Sequence, residues 1–407
     1  MDISIQKSKL INFENVKITG SKSESNRLLL LQALYPEILI ENLSNSDDSV
    51  LMQKALKSKE SIVDIHHAGT AMRFLTAYLS IQEDEEVVIT GSSRMKERPI
   101  KILVEALRVL GADISYLENE GFPPLKIVGK KLSKNKVTLE ANVSSQYISA
   151  LLLIASKLED GLELTLNGKI TSVPYIKMTL SLLNEIGVET SFVDNKIEVK
   201  PNILELKPQT LVVESDWSSA SYFFSIIALS EVGTEITISS YKKESLQGDS
   251  VLAKIYQNFG VDTHFNSLSI RLVKTGDVKV SGLVFHLSDA PDIAQTIAVT
   301  AFGLGVECYM TGLHTLKIKE TDRLVALKTE LEKLGAEVII TEDSLRVKAS
   351  NTIKTNISID TYKDHRMAMA FAPLGLKTDL TIKKADVVSK SYPQFWGDLT
   401  TIGFKLK

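Results

Sequence analysis

The sequence predicts an α/β protein of two domains, built from repeats of a helix followed by a strand pair. At 407 residues the chain is about two to three times as long as a typical domain. Apolar residues make up 44% and charged residues 24%, which is typical of a globular chain with a large core. A helix–glycine–strand pattern also recurs along the chain at near-equal spacing.

Each repeat is an apolar-periodic segment that runs into a glycine and is followed by two short alternating segments. The glycines are Gly111, Gly187, Gly260, Gly335 and Gly403, separated by 76, 73, 75 and 68 residues. Glycine suits the end of a helix because a positive φ is cheap only for this residue. Five occurrences predict a six-fold repeat of about seventy residues, with a degenerate first copy and three repeats in each domain.

Two copies show the pattern clearly. Helical spacing in the first copy predicts a helix that ends at Gly111, with apolar residues at Ile100, Leu103, Val104, Leu107 and Leu110. In the fourth copy, alternation over residues 338–340 and 345–347 predicts two strands that turn at Glu342 and Asp343.

Charge and cysteine content exclude several classes of protein. Lys and Arg number 47 and Asp and Glu 50, a net charge of −3, so we expect no nucleic-acid or membrane partner. The single cysteine, Cys308, excludes an intramolecular disulfide and a cysteine-built metal site. No apolar stretch is long enough to cross a bilayer, and residues 1–13 lack an apolar signal core, so we expect a cytoplasmic protein.

Basic side chains stand at predicted helix starts, where the helix dipole disfavours them. Such a start traps phosphate or carboxylate groups, because free N–H groups and cations converge there. For any one segment the alternative is a solvated surface cation, and Glu320 and Asp322 partly neutralise the third segment. The four segments contain Lys22 and Arg27; Arg94, Lys96 and Arg98; Lys319 and Arg323; and Lys363, His365 and Arg366.

Small polar groups add candidate ligand contacts. Ser144, Ser145 and Gln146 precede an apolar run, where they could hold an oxyanion or simply cap the helix. Gly69 could bring backbone N–H groups close to a ligand or mark a turn. Asp292 stands at a predicted helix start, where the helix dipole favours any acid, so its position alone indicates no function. The chain has no P-loop, GxGxxG or HExxH motif, so we expect neither a nucleotide cofactor nor a catalytic metal.

These segments, in this order, resemble the 5-enolpyruvylshikimate-3-phosphate (EPSP) synthase family of enolpyruvyl transferases. The resemblance covers nearly the whole chain and implies an inside-out α/β prism fold with six βαββαβ repeats, three per domain. It further implies a discontinuous domain of residues 1–19 and 215–407 and an inserted domain of residues 20–214. The matching strings are GSKSESNR, AGTAMR, RMKERPI, VSSQY, SVPY, ESDWSSASYF, PDIAQT, IKETDR, KDHRMAMAF and SKSYPQF.

The resemblance implies transfer of the enolpyruvyl group of phosphoenolpyruvate to the 5-hydroxyl of shikimate 3-phosphate. Phosphate is released by addition and elimination through a tetrahedral intermediate, in the sixth step of the pathway to chorismate and the aromatic amino acids. The implied partners are these two small molecules, with no cofactor, and a monomer is expected. The discontinuous domain would supply phosphoenolpyruvate-side residues with the acid and base, and the inserted domain shikimate 3-phosphate-side residues.

Site residues follow from the resemblance by matching motifs. Asp292 is implied as the base that accepts the proton of the attacking hydroxyl, and Glu320 as the acid that protonates the methylene carbon. Lys22 or Lys390 would assist the departure of phosphate. The implied contacts of shikimate 3-phosphate are Lys22, Ser23, Arg27, Ser144, Ser145, Gln146, Ser172, Tyr175, Asp292, Thr315 and Lys319; those of phosphoenolpyruvate are Lys22, Gly69, Arg98, Gln146, Arg323, Arg366 and Lys390. His67, Phe74 and Thr315 depart from the family's usual residues.

Two other functions stay open at this point. A sister transferase acts on UDP-N-acetylglucosamine and usually carries a cysteine on a mobile loop, whereas Cys308 lies in an apolar stretch typical of a buried thiol. A non-catalytic anion-binding protein or repeat scaffold could also keep the cation clusters, although the presence of both Asp292 and Glu320 argues against it.

Overall fold

The computed structural model describes residues 1–10, 15–140, 144–168, 170, 173–202, 206–267, 269–278 and 282–407. Its helices are α1 (Lys22–Leu34), α2 (Asp47–Lys57), α3 (Gly69–Leu79), α4 (Ser93–Lys96), α5 (Lys101–Leu110), α6 (Ser145–Ala155), α7 (Val173–Glu185), α8 (Trp217–Leu229), α9 (Leu252–Ile255), α10 (Ala294–Gly303), α11 (Arg323–Lys333), α12 (His365–Phe371) and α13 (Phe395–Thr401). Short 3₁₀ turns cover Gly248–Val251, Tyr256–Phe259, Pro291–Ile293, His314–Ile318, Ala372–Leu376 and Ala385–Lys390.

The strands are β1 (Ile3–Gln6), β2 (Asn15–Val16), β3 (Ile38–Glu41), β4 (Ile62–Asp64), β5 (Glu86–Thr90), β6 (Asp113–Tyr116), β7 (Leu125–Val128), β8 (Lys136–Glu140), β9 (Leu162–Asn167), β10 (Thr190–Val193), β11 (Lys196–Val199), β12 (Gln209–Val212), β13 (Glu235–Ser239), β14 (Val261–Phe265), β15 (Ser269–Lys274), β16 (Gly282–His286), β17 (Glu307–Thr311), β18 (Val338–Ile340), β19 (Ser344–Val347), β20 (Ile357–Ile359), β21 (Leu380–Ile382) and β22 (Lys405–Leu406). The mixture of helices and sheets confirms the predicted α/β class.

One connectivity recurs in the sheets of the described chain. Four-stranded sheets have the orders β4-β5-β7-β6, β8-β9-β11-β10, β2-β13-β15-β14, β16-β17-β19-β18 and β20-β21-β1-β22. In each, the first two strands are parallel and the other pairings are antiparallel. A sixth sheet pairs β3 and β12 in parallel. The last four-stranded sheet joins the two ends of the chain, because β1 pairs with both β21 and β22.

The repeat glycines behave as predicted. Gly111, Gly187, Gly260, Gly335 and Gly403 have φ of 112°, 89°, 73°, 103° and 109°, and each follows a helical segment. The segment before Gly260 differs from a regular helix, since it consists of the single turn α9 and a 3₁₀ turn. The strand pair predicted around residue 342 is confirmed as β18 and β19. The arrangement of the repeats as prisms stays a prediction.

The chain forms two compact units. The discontinuous unit comprises Met1–Thr19 and Glu214–Lys407, and the inserted unit comprises Gly20–Val213. Glu214, which we expected in the inserted domain, belongs to the discontinuous unit because its buried carboxylate accepts hydrogen bonds there from Trp217 Nε1 (2.8 Å) and the Lys242 N–H (2.9 Å). Each unit contains three of the sheets and its own apolar core.

Helices buried on nearly every face occupy these cores. Every residue of α8 and α12 is buried, as is nearly all of α10, α3 and α6. These helices lack a solvent-facing polar stripe, so the polar side chains within them, such as Arg73 of α3 and Ser149 of α6, are buried and hydrogen-bonded. Several predicted site residues stand at the N-terminal ends of these helices: Gly69 begins α3, Ser145 begins α6, Asp292 lies in the turn before α10 and Arg366 is the second residue of α12. Within the described residues, no helix has the length and apolar composition needed to cross a membrane.

Candidate active site

In the discontinuous unit, Asp292 is the centre of a cluster of cations. It lies in the 3₁₀ turn that leads into α10. Its Oδ1 accepts a hydrogen bond from Arg323 NH1 (2.9 Å) and lies 3.6 Å from Lys319 Nζ, and its Oδ2 accepts from Arg366 NH2 (3.0 Å). The structure therefore brings together one acidic residue and three basic residues that lie up to 74 positions apart in the sequence.

Arg323, the first residue of α11, links three carboxylates. Besides Asp292, its NH2 donates to Glu320 Oε2 (2.8 Å) and its Nε to Asp364 Oδ2 (2.7 Å). Its side chain is only 2% exposed. Burial opposes the charge, but the three carboxylates outweigh it and raise the pKa of Arg323. Buried ion pairs of this kind require excellent geometry, because desolvation of the charges is expensive.

Asp364 connects this network to the start of α12. Its carboxylate accepts from the backbone N–H of Arg366 (2.9 Å), as an N-cap does, while it also binds Arg323. Burial opposes the charge of Arg366, and Asp292 is the foremost of the nearby groups that nevertheless raise its pKa. The Arg366 Nε is buried and has no hydrogen-bond partner among the described residues, so a donor remains available for a ligand.

Lys390 and Thr315 lie in 3₁₀ turns of the same unit. Lys390 Nζ donates to the carbonyl of Lys363 (2.7 Å), a residue whose φ is +57°. The Oγ1 of Thr315 is buried without a hydrogen-bond partner in the part of the chain that the structure describes. No contact tests whether either side chain binds a substrate, and both assignments stay predictions.

In the inserted unit, the start of α3 lies against the guanidinium of Arg98. A Cβ atom built on Gly69 would come within 2.4 Å of Arg98 NH1 and 2.8 Å of NH2. Gly69 therefore permits the close approach of a cation to the first N–H groups of an eleven-residue helix. Within the described ranges, Arg98 forms no ion pair, unlike Arg94 and Lys96 of the same segment, which pair with Glu97 and Glu118. The positive end of a helix beside an unpaired guanidinium favours an anion.

A second guanidinium, that of Arg73, also contacts the start of α3. Arg73 is buried, and it donates to the carbonyls of Gly69 (3.1 Å) and Pro99 (2.9 Å). Burial, reinforced by the charge of Arg98, lowers the pKa of Arg73 to about 10. Two cations that repel each other at one helix start would both be stabilised by an anionic ligand.

Arg27 is a buried cation of α1 whose donors are largely used within the protein. Its Nε donates to Thr179 Oγ1 (2.8 Å), its NH2 to Ser149 Oγ (2.9 Å) and its NH1 to the carbonyl of Ser23 (2.7 Å). Burial lowers the pKa of Arg27 to about 10. Its guanidinium also lies over the ring of Tyr175, 5.9 Å from the centroid. Arg27 thereby connects α1, which begins at Lys22, with α6 and α7.

The start of α6 joins the start of α3. Ser144 Oγ accepts from the backbone N–H of Gln146 (3.3 Å), so this serine caps the helix. Gln146 Nε2 donates to Thr70 Oγ1 (3.2 Å), one residue from Gly69. Ser145 is buried directly beside the cap. Ser172, which was expected in the same site, lies outside the described residues.

Some predicted cations do not join either cluster. Arg94 and Lys96 form surface ion pairs with Glu97 (2.9 Å) and Glu118 (2.6 Å), so the alternative of solvated cations holds for them. Sequence reasoning also missed partners of the site, namely Asp364, Arg73, Ser218, Ser149 and Thr179. Asp364 carried a usable signal, because an aspartate directly before a helix start is a common N-cap. Arg73 and Ser218 lie within the matching strings AGTAMR and ESDWSSASYF, whereas Ser149 and Thr179 gave no signal.

The two groups of side chains combine anion traps with carboxylates suited to proton transfer. The discontinuous unit offers Asp292 and Glu320 among Lys319, Arg323 and Arg366; the inserted unit offers helix starts beside Lys22 and Arg98. In the described ranges, no three His, Cys, Asp or Glu side chains lie together as a metal site would require.

The fold is that of enolpyruvyl transferases. An EPSP synthase structure from Acinetobacter baumannii superposes with a TM-score of 0.81 at 21% identity, covering 100% of this chain and 99% of that one. The enolpyruvyl transferase NikO from Streptomyces tendae superposes with a TM-score of 0.76 at 13% identity, covering 100% and 98%. At these identities the likeness concerns the fold alone.

Sequence comparison then narrows the class. The family model for EPSP synthase (3-phosphoshikimate 1-carboxyvinyltransferase) matches residues 52–399. A 3-phosphoshikimate 1-carboxyvinyltransferase of Bacteroides fragilis is 47% identical over 401 residues, with 96% of both chains covered. One of Haemophilus influenzae is 36% identical over 426 aligned positions, again with 96% of both chains covered. The chain belongs to the EPSP synthase family, and the resemblance noted in its motifs is confirmed.

Proposed function

We infer that this protein transfers the enolpyruvyl group of phosphoenolpyruvate to the 5-hydroxyl of shikimate 3-phosphate and releases phosphate. It is a transferase of the shikimate pathway, as its family membership indicates. The observation that carries the chemistry is the carboxylate of Asp292, which Arg323, Arg366 and Lys319 surround.

The charges of the substrates explain why the chain gathers so many cations. Each substrate has a carboxylate and a phosphate, and the phosphate carries a charge of about −1.5 to −2 near neutral pH. A charge-assisted hydrogen bond contributes roughly 1.5–3 kcal/mol, so several such contacts offset the repulsion between the two anions. Arginine provides bidentate contacts to both kinds of group.

The proposed contacts of shikimate 3-phosphate are those that the matching motifs imply. The buried hydrogen bonds of Arg27 hold the start of α1 in place, and the cap at Ser144 holds the start of α6. The proposed contacts are Lys22, Ser23, Arg27, Ser144, Ser145, Gln146, Ser172 and Tyr175 in the inserted unit, with Asp292, Thr315 and Lys319 in the discontinuous unit.

We propose that phosphoenolpyruvate binds where the positive charge is most concentrated. The Arg98 guanidinium beside the first N–H groups of α3 supports this assignment in the inserted unit. The unpartnered Nε of Arg366 supports it in the discontinuous unit. The proposed contacts are Lys22, Gly69, Arg98 and Gln146, with Arg323, Arg366 and Lys390.

The reaction needs one proton acceptor and one proton donor. Asp292 accepts the proton of the 5-hydroxyl as its oxygen attacks C2 of phosphoenolpyruvate, and Glu320 donates a proton to the methylene carbon. In the elimination, the Glu320 carboxylate takes a proton back from the methyl group of the tetrahedral adduct, the C–O bond to phosphate breaks and the double bond re-forms, while the proton held by Asp292 leaves with the phosphate. Lys22 or Lys390 stabilises the departing phosphate. Arg323 holds both carboxylates, so it fixes the separation of base and acid.

The state of the cysteine argues against the sister transferase. Cys308 lies on β17 and is fully buried. Burial raises the pKa of its thiol to about 12, so it is a poor nucleophile, and it lies on a strand and not on a loop. Ligand-induced thermal stabilisation tests the choice of acceptor: shikimate 3-phosphate should raise the Tm by mass action, and UDP-N-acetylglucosamine should not. The reverse result would reassign the acceptor, and no shift with either would favour the scaffold alternative.

We also propose that the enzyme acts as a monomer in the cytoplasm, where a reduced free thiol such as Cys308 persists. Light scattering at assay concentration would test the monomer, since a mass of twice 44.9 kDa would contradict it.

A further inference from the structure

A buried carboxyl group that the proposed mechanism does not use lies beside Arg366. Asp249 belongs to the 3₁₀ turn Gly248–Val251 and is 4% exposed. Its Oδ2 accepts a hydrogen bond from Ser218 Oγ, and its Oδ1 has no partner among the described residues. Ser218 Oγ in turn accepts from Arg366 NH2 (3.2 Å). A hydroxyl thus bridges Asp249 to a guanidinium that also holds Asp292.

The surroundings of Asp249 make its charge state variable near neutral pH. Burial raises the pKa of Asp249 to about 7, and the negative charge of Asp292 on the adjoining turn reinforces this. Arg366 on α12 and the Ser218 hydrogen bond oppose the shift, while Asp216 at the start of α8 adds to it. Two carboxylates with one guanidinium between them do not ionise independently.

We propose that Asp249 is a positioning residue that sets the affinity of Arg366 for an anionic substrate group, according to whether Asp249 carries a proton. The inference rests on the proposed binding of phosphoenolpyruvate by Arg366. With Asp249 protonated, the guanidinium faces one carboxylate, Asp292, and its unpartnered Nε attracts the ligand. With Asp249 ionised, a second carboxylate shares the positive charge, so the ligand binds more weakly.

The test is the pH dependence of phosphoenolpyruvate affinity in Asp249→Asn. We would measure KM, and binding by calorimetry in the presence of shikimate 3-phosphate, from about pH 6 to about pH 8.5. Between these limits the wild-type affinity should fall by about fivefold more than that of Asp249→Asn. The phosphate of the ligand titrates in the same range, but it does so equally with both proteins.

A matched control comes from Asp398 on α13. Burial also raises the pKa of this carboxyl group, which accepts from the Tyr392 hydroxyl (2.6 Å) and makes no ion pair with Arg366 in the part of the chain that the structure describes. Asp398→Asn should keep the wild-type pH dependence. Ser218→Ala removes the bridging hydroxyl and should weaken the dependence, and it provides a second test if Asp249→Asn does not fold. The proposal would be overturned if phosphoenolpyruvate affinity changed with pH in the same way in the wild type, Asp249→Asn and Ser218→Ala.

Stability provides a readout that does not depend on catalysis. The folded state keeps the Asp249 proton to higher pH than the unfolded chain does, so the free energy of unfolding should fall as pH rises from about 4 to about 7. Asp249→Asn should remove this part of the slope. Asp249→Asn could remove the pH dependence of the free energy of unfolding and yet leave the pH dependence of phosphoenolpyruvate affinity unchanged. In that case Asp249 does not act on Arg366 and the proposal fails. Calorimetric binding keeps the test valid even if the proposed turnover is absent.

Discussion

The guanidinium of Arg98 occupies the space that a side chain at position 69 would need, because a Cβ atom on Gly69 would come within 2.4 Å of Arg98 NH1. Gly69 has no positive φ that would demand glycine, so the approach of the cation is what requires the missing side chain. The absence of a side chain at Gly69 allows the Arg98 guanidinium to lie against the first turn of α3.

Gly69→Ala should therefore weaken phosphoenolpyruvate binding specifically. The methyl group displaces Arg98 from the helix start, and we expect KM for phosphoenolpyruvate to rise about tenfold, with KM for shikimate 3-phosphate nearly unchanged. Steady-state kinetics with each substrate varied in turn would measure both. Gly397→Ala is the matched control, because a Cβ atom there meets nothing within 4 Å. An unchanged KM for phosphoenolpyruvate in Gly69→Ala would remove Arg98 from the site.

Asp292→Asn should abolish most of the turnover. The amide keeps the shape of the side chain but cannot accept a proton at neutral pH, and one of its N–H groups would face Arg323 or Arg366. We expect kcat to fall by about 10² to 10⁴. The control is Asp289→Asn, an exposed carboxylate three residues earlier. A kcat within about tenfold of wild type would show that another group takes the hydroxyl proton.

Much of the fold could be predicted because its signals are local. The spacing of apolar residues before Gly111 and the alternation in β18 and β19 each lie within a dozen residues. The closing sheet carries no such signal, since β1 finds β22 at the other end of the chain, with Ile5 opposite Leu406. Only the packing of the whole discontinuous unit brings these strands together.

Part of the candidate site could likewise be predicted from local signals, and part could not. Cations at helix starts break a local rule, so Arg323 and Arg366 could be recognised from sequence. Whether such a cation is functional depends on distant partners: Lys96 is neutralised by Glu118, which no helical pattern connects to it. Asp249 had no sequence signal, because its properties come from burial and from Arg366, 117 residues further along the chain.

Tyr362→Phe should loosen the loop whose Lys363 carbonyl anchors Lys390. Tyr362 and Lys363 have φ of +53° and +57°, conformations that cost of order 1–3 kcal/mol each and need support. The support is the buried carboxylate of Glu330, which accepts from the Tyr362 hydroxyl (2.6 Å) and from Lys333 (2.7 Å). The Lys363 carbonyl then receives Lys390.

We expect Tyr362→Phe to lower the free energy of unfolding by about 1–3 kcal/mol, because Glu330 loses a buried partner. KM for phosphoenolpyruvate should rise about threefold as Lys390 loses its anchor. Urea unfolding and steady-state kinetics would measure these effects. Tyr309→Phe, on β17, provides the control. If stability falls but KM does not move, the loop has a structural role only.

Thr179→Val should weaken the binding of shikimate 3-phosphate. Thr179 Oγ1 is the acceptor for Arg27 Nε (2.8 Å), and valine would leave that buried donor without a partner at a cost of about 1–3 kcal/mol. We expect the Kd for shikimate 3-phosphate, measured by calorimetry, to rise about tenfold. The control is Thr190→Val, because the Thr190 hydroxyl donates its hydrogen bond to Asn184 at the surface. An unchanged Kd would mean that Arg27 has no part in placing the ligand.

Phosphate release from phosphoenolpyruvate tests the central claim most directly. Wild-type protein would be assayed with shikimate 3-phosphate, with UDP-N-acetylglucosamine and with no acceptor, beside Asp292→Asn and Asp289→Asn. We predict phosphate release that requires shikimate 3-phosphate, persists in Asp289→Asn and is nearly lost in Asp292→Asn. Release only with the sugar nucleotide, or none with folded wild-type protein and either acceptor, would contradict it.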